Sequence, residues 1–264
     1  MALATHISGI LVWVAGGLVL FARLSQALAD PAGTETGSGT PGNTQFQEAK
    51  LRYETKPGEA AAAWQFGRMC FDSAEFATNH TQRASLAEQG IAACRLAIAR
   101  ESNSAPAHYY LAMNFGQLAR TKGLGALRLV SQMEREFSRA RDLDEHLDCA
   151  GPDRNLGQLY RDAPVIGSVG SRTRAREHLK RAVELVPQFP ENQLNLIEAY
   201  LNWGDRTSAY RQLQTFEALW PAARTNFVGQ AWAASWPDWE SWLNKLKKKI
   251  EEPTKPLGAP REKR

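Results

Sequence analysis

Ala175, Leu179 and Pro187 return thirty-four residues later as Ala209, Leu213 and Pro221. A fixed internal period of this kind constrains a fold more than any composition figure, because it implies one supersecondary unit copied and stacked. Within the period Ala182 maps to Phe216, and PENQLNLIEAYLNWGD between the copies supplies Leu196, Ile197, Tyr200 and Gly204. The pattern reads as a helix, a glycine turn and a second helix. Ala175 and Ala209 let two helices approach closely, and Gly204 permits the turn. Pro187 and Pro221 are expected to end the second helices, since proline lacks the amide donor and clashes with the preceding turn.

Further copies lie upstream. Leu111, Ala112 and Phe115 fit a first helix and Phe137 and Ala140 its second, with a connection longer than the repeat requires. Leu156, Gly157 and Tyr160 fit another first helix, followed by the long link VIGSVGSR. Phe66, Gly67 and Cys70, then Gly90, Cys94 and Ala97, outline a weaker copy. The spacing is that of a tetratricopeptide (TPR) repeat. The expected fold is therefore all-α, a TPR-like solenoid of about four helical hairpins over residues 45–251. Five of the eight tryptophans, Trp220, Trp232, Trp236, Trp239 and Trp242, crowd its end. There WPDWESWLNKLKKKIEE reads as an amphipathic helix with Trp239, Trp242, Leu243, Leu246 and Ile250 on one stripe. A solenoid must cover its last apolar face, so a capping helix is expected; the other reading is a basic helix lying on anionic lipid through Lys245 and Lys247–Lys249.

Ile7 to Ala22 carries no charged residue, and Ala27-Leu28-Ala29 before Asp30 matches a signal-peptidase site. Residues 1–29 are expected to be a signal peptide that exports the chain; left uncleaved, residues 2–22 are long enough to anchor it in a membrane. Residues 30–44, rich in Gly, Thr and Pro, read as a flexible linker, and residues 252–264 as a basic disordered tail. The basicity is local. From Lys245 to Arg264 eight Lys/Arg face three Glu, a net +5 against a chain total of +4, so the body is near neutral and no nucleic-acid partner is expected.

None of His6, His80, His108, His146 and His178 stands at a metal-ligand spacing, and nucleophile-elbow, phosphate-loop and dinucleotide motifs are absent. No catalytic residue, metal site or cofactor is expected, and His108 is read as packing between repeats. Cys70 and Cys94 fall on facing helices, either as a disulfide that leaves Cys149 free or as small core residues. Asn79-His80-Thr81 matches a glycosylation acceptor.

Recognition along the concave face of the first helices is the expected activity. The inner positions are Tyr109, Met113 and Gln117 in the second copy, Arg154, Gln158, Arg161 and Asp162 in the third, and Leu194, Glu198 and Asn202 in the fourth. Arg154 and Arg161 either clamp a partner's carboxylate through bidentate guanidinium contacts or pair with Asp153 and Asp162 to brace the inserted loops.

PAHYYLAMNFGQLARTKGLGALRLV, AGPDRNLGQLYRDAP and SRTRAREHLKRAVELVPQFPENQLNLIEAYLNWGD resemble the TPR-type T component family associated with TRAP transporters, over residues 60–240. The resemblance implies an exported, periplasmic, non-enzymatic protein that works beside a solute-binding protein and assembles as a homo-oligomer with a central channel. The chain departs from that family in having no lipidation cysteine at the cleavage site, and in a VIGSV loop where relatives carry an aromatic. Two functions follow. One is a scaffold binding a protein or peptide partner through its concave face. The other is a transport accessory holding a small apolar or anionic solute. A hydrophobic channel lined by first helices would mark the second, an open polar groove the first.

Overall fold

A computed structural model describes residues 41–123 and 125–252, without the side chains of 41–43. The signal or anchor segment, residues 30–40 of the linker and the tail beyond Glu252 lie outside the described residues. Among those described there is no strand. The elements are α1 (Pro41–Thr55), α2 (Ala60–Glu75), α3 (His80–Arg100), α4 (Ala105–Ala119), α5 (Ala126–Leu143), α6 (Leu147–Asp162), α7 (Arg172–Leu185), α8 (Pro190–Asn202), α9 (Arg206–Asn226), the single turn α10 (Gln230–Ala233) and α11 (Ser235–Glu251).

Four hairpins, α2/α3, α4/α5, α6/α7 and α8/α9, stack in chain order, and each second helix also packs on the first helix of the next hairpin. This is the all-α, TPR-like arrangement that the period implies. The repeat residues do the packing. Leu111, Ala112, Phe115, Tyr160, Ala175, Leu179, Ala182, Ala209, Leu213 and Phe216 are all buried. Gly157 brings α6 against α7: a Cβ there would lie 2.6 Å from Leu179 Cγ, so any side chain would push the helices apart. Gly204 turns α8 into α9 at φ +74, the left-handed region that glycine enters without a Cβ clash. Asp205 N donates to Tyr200 O at 2.9 Å and Gly204 N to Leu201 O at 3.0 Å, which closes the helix end as a Schellman motif. The Asp205 side chain then caps α9 by accepting from Ser208 N at 3.1 Å.

The two prolines behave differently. Pro187 lies just past the end of α7. Pro221 does not end α9 as its type leads one to expect; the helix continues through it to Asn226. Burial beyond the proline explains this: Ala223 is enclosed, and Trp220 packs edge-on against Trp236 at 5.4 Å between ring centroids. Packing against the cap outweighs the one backbone hydrogen bond that Pro221 removes.

Both ends of the stack are covered. At the C-terminal end Trp232, Trp236, Trp239, Trp242, Leu243 and Leu246 are buried, and the rings of Phe227, Trp232 and Trp239 surround Phe189 at 5.2, 5.8 and 5.8 Å. Each such aromatic pair adds about 0.5–1.5 kcal/mol beyond its burial. That stripe, apart from the partly buried Ile250, lies inside the fold, where a cap would place it. At the N-terminal end α1 supplies a cover the period gives no sign of. It begins at Pro41, so residues 41–44 of the expected linker are helical. Phe46, Ala49 and Tyr53 recur every three or four residues and pack on Phe66, Cys70 and Ala93, with Tyr53 stacked on Phe66 at 5.0 Å. An exposed first hairpin would leave Phe66 in water, which is the physical reason for this helix.

Ala175→Leu and Ala209→Leu should each destabilise the fold by about 1–3 kcal/mol in urea unfolding, through overpacking at a close helix contact. Near-neutral effects at both positions would contradict the repeat register.

Candidate functional site

α4 reads APAHYYLAMNFGQLA and contains no charged residue. A helix apolar around its circumference belongs in the interior. All of α4 except Pro106 and Leu118 is buried, so Tyr109, Met113 and Gln117 are enclosed. Tyr109 Oη donates to Asp148 Oδ2 at 2.6 Å and accepts from Asn155 Nδ2 at 3.0 Å. Asn155 Nδ2 also approaches Met113 Sδ at 3.2 Å. Gln117 donates to the Glu75 carboxylate, which Arg120 Nη1 also binds at 3.1 Å. Burial raises the Glu75 carboxyl against the pull of Arg120. Asn114 Nδ2 reaches back to Gly67 O at 2.9 Å. These contacts tie the first helices α2, α4 and α6 together along what would be the inner surface.

Arg154 is the centre of this seam and is 3% exposed. Its guanidinium donates to Asp148 Oδ2 at 3.0 Å, to the carbonyls of Asp148 and Cys149 at 3.2 and 3.1 Å, and to Asn192 Oδ1 at 3.1 Å. It lies 5.1 Å from the Phe189 ring centroid, and its Nε is 3.6 Å from Glu191 Oε2. The carbonyls it binds belong to a left-handed turn: Asp148, Cys149 and Ala150 have φ of 51, 54 and 63°. Each such non-glycine residue costs about 1–2 kcal/mol, and the arginine's contacts hold the turn in place. Asn192 Nδ2 adds bonds to Cys149 O at 3.1 Å and Ala182 O at 3.0 Å, so the node joins the third hairpin to the fourth. Trp239 Nε1 donates to Glu191 Oε1 at 3.2 Å and brings in the cap. Burial pushes the Glu191 carboxyl up to about 7, although Arg154 and Trp239 pull the other way.

Three expectations therefore need correction. Arg154 is not a ligand contact, because it is enclosed and its donors are bound within the fold. Its bracing partner is Asp148, with Glu191 beyond; Asp153 turns to the other side of α6, where it accepts from His178 Nδ1 at 2.6 Å. Adjacent helical residues point away from each other, so Arg154 and Asp153 serve different neighbours. Tyr109, Met113, Gln117, Gln158 and Leu194 are likewise buried and cannot meet a partner from solvent. The inner surface that they were expected to line is closed by contacts between the first helices.

What stays accessible is one edge, at the C-terminal ends of α6 and α8. Arg161 pairs with Asp162 at 2.5 Å, as the bracing reading expects, and with Glu198 at 3.4 Å. Their side chains are 7%, 17% and 19% exposed in that order, and Asn202 is exposed. Beside them Trp203 carries the guanidinium groups of Arg172 and Arg176, at 5.2 and 5.4 Å from its ring. The connection that follows Asp162 is held by Ser171 N donating to Tyr160 O at 2.9 Å. It presents Val165 and Ile166 to solvent, 75% and 93% exposed. A mixed-charge edge with an apolar tip suits contact with a protein surface.

His108, Cys70 and Cys94 are held inside the fold. His108 bonds Glu136 at 2.7 Å, across its own hairpin, and Ser102 O at 3.1 Å in the connection before it. Cys70 and Cys94 are free and buried; burial pushes Cys70 up to about 12 and raises Cys94 as well. Of the two alternatives for this pair, the core reading holds. Sequence reasoning missed Asp148, Asn155, Glu191 and Asn192. The signal available was a run of amides and charges inside otherwise apolar first helices.

Residues 35–147 match the family described as regulator of microtubule dynamics proteins 1–3, less than half of the chain. No curated protein sequence matches it. A crystal structure of TTC0263, a thermophilic TPR protein of Thermus thermophilus, is 15% identical, with a TM-score of 0.57 over 78% of this chain and 91% of that one. Two crystal structures of MamA, each 15% identical with a TM-score of 0.49, cover 71% and 72% of this chain and 87% and 99% of theirs. The likeness to the Thermus protein is one of fold, and that fold is TPR-like.

Arg154→Ala should cost about 3–5 kcal/mol in denaturant unfolding, because it strands Asp148 in the interior; a loss below ~1 kcal/mol would show that the node does not brace the stack. The Glu191 carboxyl has a folded-state value above its ordinary 4.5, so its protonated form favours folding. That contribution is full below about 4.5 and is lost as pH rises through about 7. Wild type should therefore lose stability relative to Glu191→Gln between those values; a difference independent of pH would place the carboxyl in an ordinary environment.

Proposed function

We propose that this TPR-like stack is an exported, non-enzymatic scaffold that binds a protein or peptide partner at the edge formed by Arg161, Asp162, Glu198, Asn202 and the Val165–Ile166 tip. The observation that carries the reading is the exposure of that apolar dipeptide beside charged groups, on a frame whose other large side chains are mostly packed. Isolated exposed hydrophobics are ordinary, but two in succession at the tip of an inserted, anchored loop form a ready contact point. The match of residues 35–147 agrees with this reading, since its description is of a regulator and names no reaction. Export rests on the uncharged stretch Ile7–Ala22 and the Ala27-Leu28-Ala29 site.

The transport-accessory reading, with a solute-binding protein as partner and a homo-oligomeric channel, needs an apolar passage lined by first helices. The bonds of Gln117 to Glu75 and of Tyr109 to Asp148 occupy inner positions that such a passage would need, which supports partner binding at the exposed edge over the transport reading.

Affinity capture from the exported fraction with the full chain, read by mass spectrometry, tests the proposal. A defined protein should be retained, and Val165→Asp with Ile166→Asp should weaken its binding by about tenfold, ~1.4 kcal/mol, without a change in melting temperature. Unchanged binding by that variant would displace the site, and recovery of small solutes alone would favour the transport reading. Fusion of alkaline phosphatase after residue 44 should give an active, exported enzyme; an inactive fusion would overturn export.

A further inference from the structure

Two clefts occupy equivalent places between consecutive second helices, and their chemistry differs. The cleft between α5 and α7 has a volume of about 700 Å³, and apart from Glu177 its charged groups pair with one another: Arg181 with Glu145 at 2.7 Å, Arg141 with Asp142 at 2.8 Å, His178 with Asp153 at 2.6 Å. The cleft between α3 and α5, about 540 Å³, has an apolar floor of Ile91, Ala92, Phe115, Leu118 and Leu129. Its rim carries Arg95, Lys122 and Arg128 against a single acid, Glu88. Arg95 lies over the Phe115 ring at 5.7 Å. Among the described residues Lys122, Arg128 and Glu88 make no ion pair. The contrast shows that an apolar floor is not a requirement of the repeat at this place. The long α4–α5 connection, residues 120–125, supplies Lys122 and Gly125 to the rim, so the insertion in the second copy shapes this groove.

We propose that the α3–α5 groove docks a short amphipathic segment of a partner protein, with its apolar side chains on Ile91, Phe115, Leu118 and Leu129 and its acidic side chains against Arg95, Lys122 and Arg128. The volume lies within the range of ligand clefts, about 300–1,000 Å³. Three cations without acidic neighbours other than Glu88 favour an acidic segment and disfavour a basic one. The groove uses the first two hairpins, whereas the edge proposed above uses the last two, so either site can fail without the other.

The test uses the full chain and two fluorescent helical peptides. One carries leucines at i, i+3 and i+7 with glutamates opposite, and the other has lysine for every glutamate. The acidic peptide should bind saturably and about tenfold more tightly than the basic one. Exposed positions allow variants that leave the fold intact: Ala92→Trp fills the groove, and Lys122→Glu with Arg128→Glu reverses its rim. Each should weaken the acidic peptide about tenfold, while Val165→Asp with Ile166→Asp leaves its affinity unchanged. Equal binding of both peptides, no binding, or full binding to the Ala92→Trp variant would overturn the proposal. Self-association abolished by Ala92→Trp would also overturn it, because the occupant would then be a second copy of this chain.

Discussion

A helix without a charged side chain that is buried on nearly every face is stable only when neighbours surround it, and α4 is such a helix. It touches α2, α3, α5 and α6. That enclosure dictates the stack: no hairpin buries its first helix alone, so each needs the next, and the two ends need separate covers. α1 with Phe46 and Tyr53 closes one end, and the tryptophan cluster around Phe189 closes the other. The covers differ because the faces differ. The first hairpin presents Phe66, Cys70 and Ala93 to its cover, while the last presents Phe189 and the side chains of α8 and α9 packed with it.

Enclosure also explains the polar seam. Backbone and side-chain polar groups removed from water must find partners, and the first helices find them in one another. Asn114 reaches Gly67, Tyr109 reaches Asp148, and Asn192 reaches Cys149 and Ala182. Arg154 holds the strained Asp148–Ala150 turn and links it to the fourth hairpin and the cap. An inner surface closed in this way leaves recognition to edges and outer grooves. Both proposed contact regions lie where an inserted connection departs from the repeat, one after α6 and one after α4.

The repeat was legible because its signals are chemical and local. Gly157 must be small for α6 to meet Leu179, and Gly204 must accept a positive φ. α1 was hidden because Phe46 and Tyr53 stand among polar residues ahead of the first copy of the repeat, so the period gives no sign of the helix that carries them. Pro221 misled because its effect depends on what lies beyond it, and Trp220 and Ala223 are packed by the cap. The inner-face residues follow from repeat positions that meet solvent in an open superhelix. Here most of the same positions are buried, and of the inner-face residues named from sequence Arg161, Asp162, Glu198 and Asn202 are the ones not fully enclosed.

Sequence alone determined the all-α class, a repeat of about four hairpins, the tryptophan cap and the two insertions, because each rests on periodicity or on a residue whose backbone preference is intrinsic. Tertiary structure decided which charges are interior. Whether Arg154 greets a ligand or braces a turn depends on Asp148 adopting a left-handed conformation and on Glu191 arriving from another hairpin. Such long-range burial leaves no mark on a single chain's pattern, because an arginine has the same letter in water and in the core.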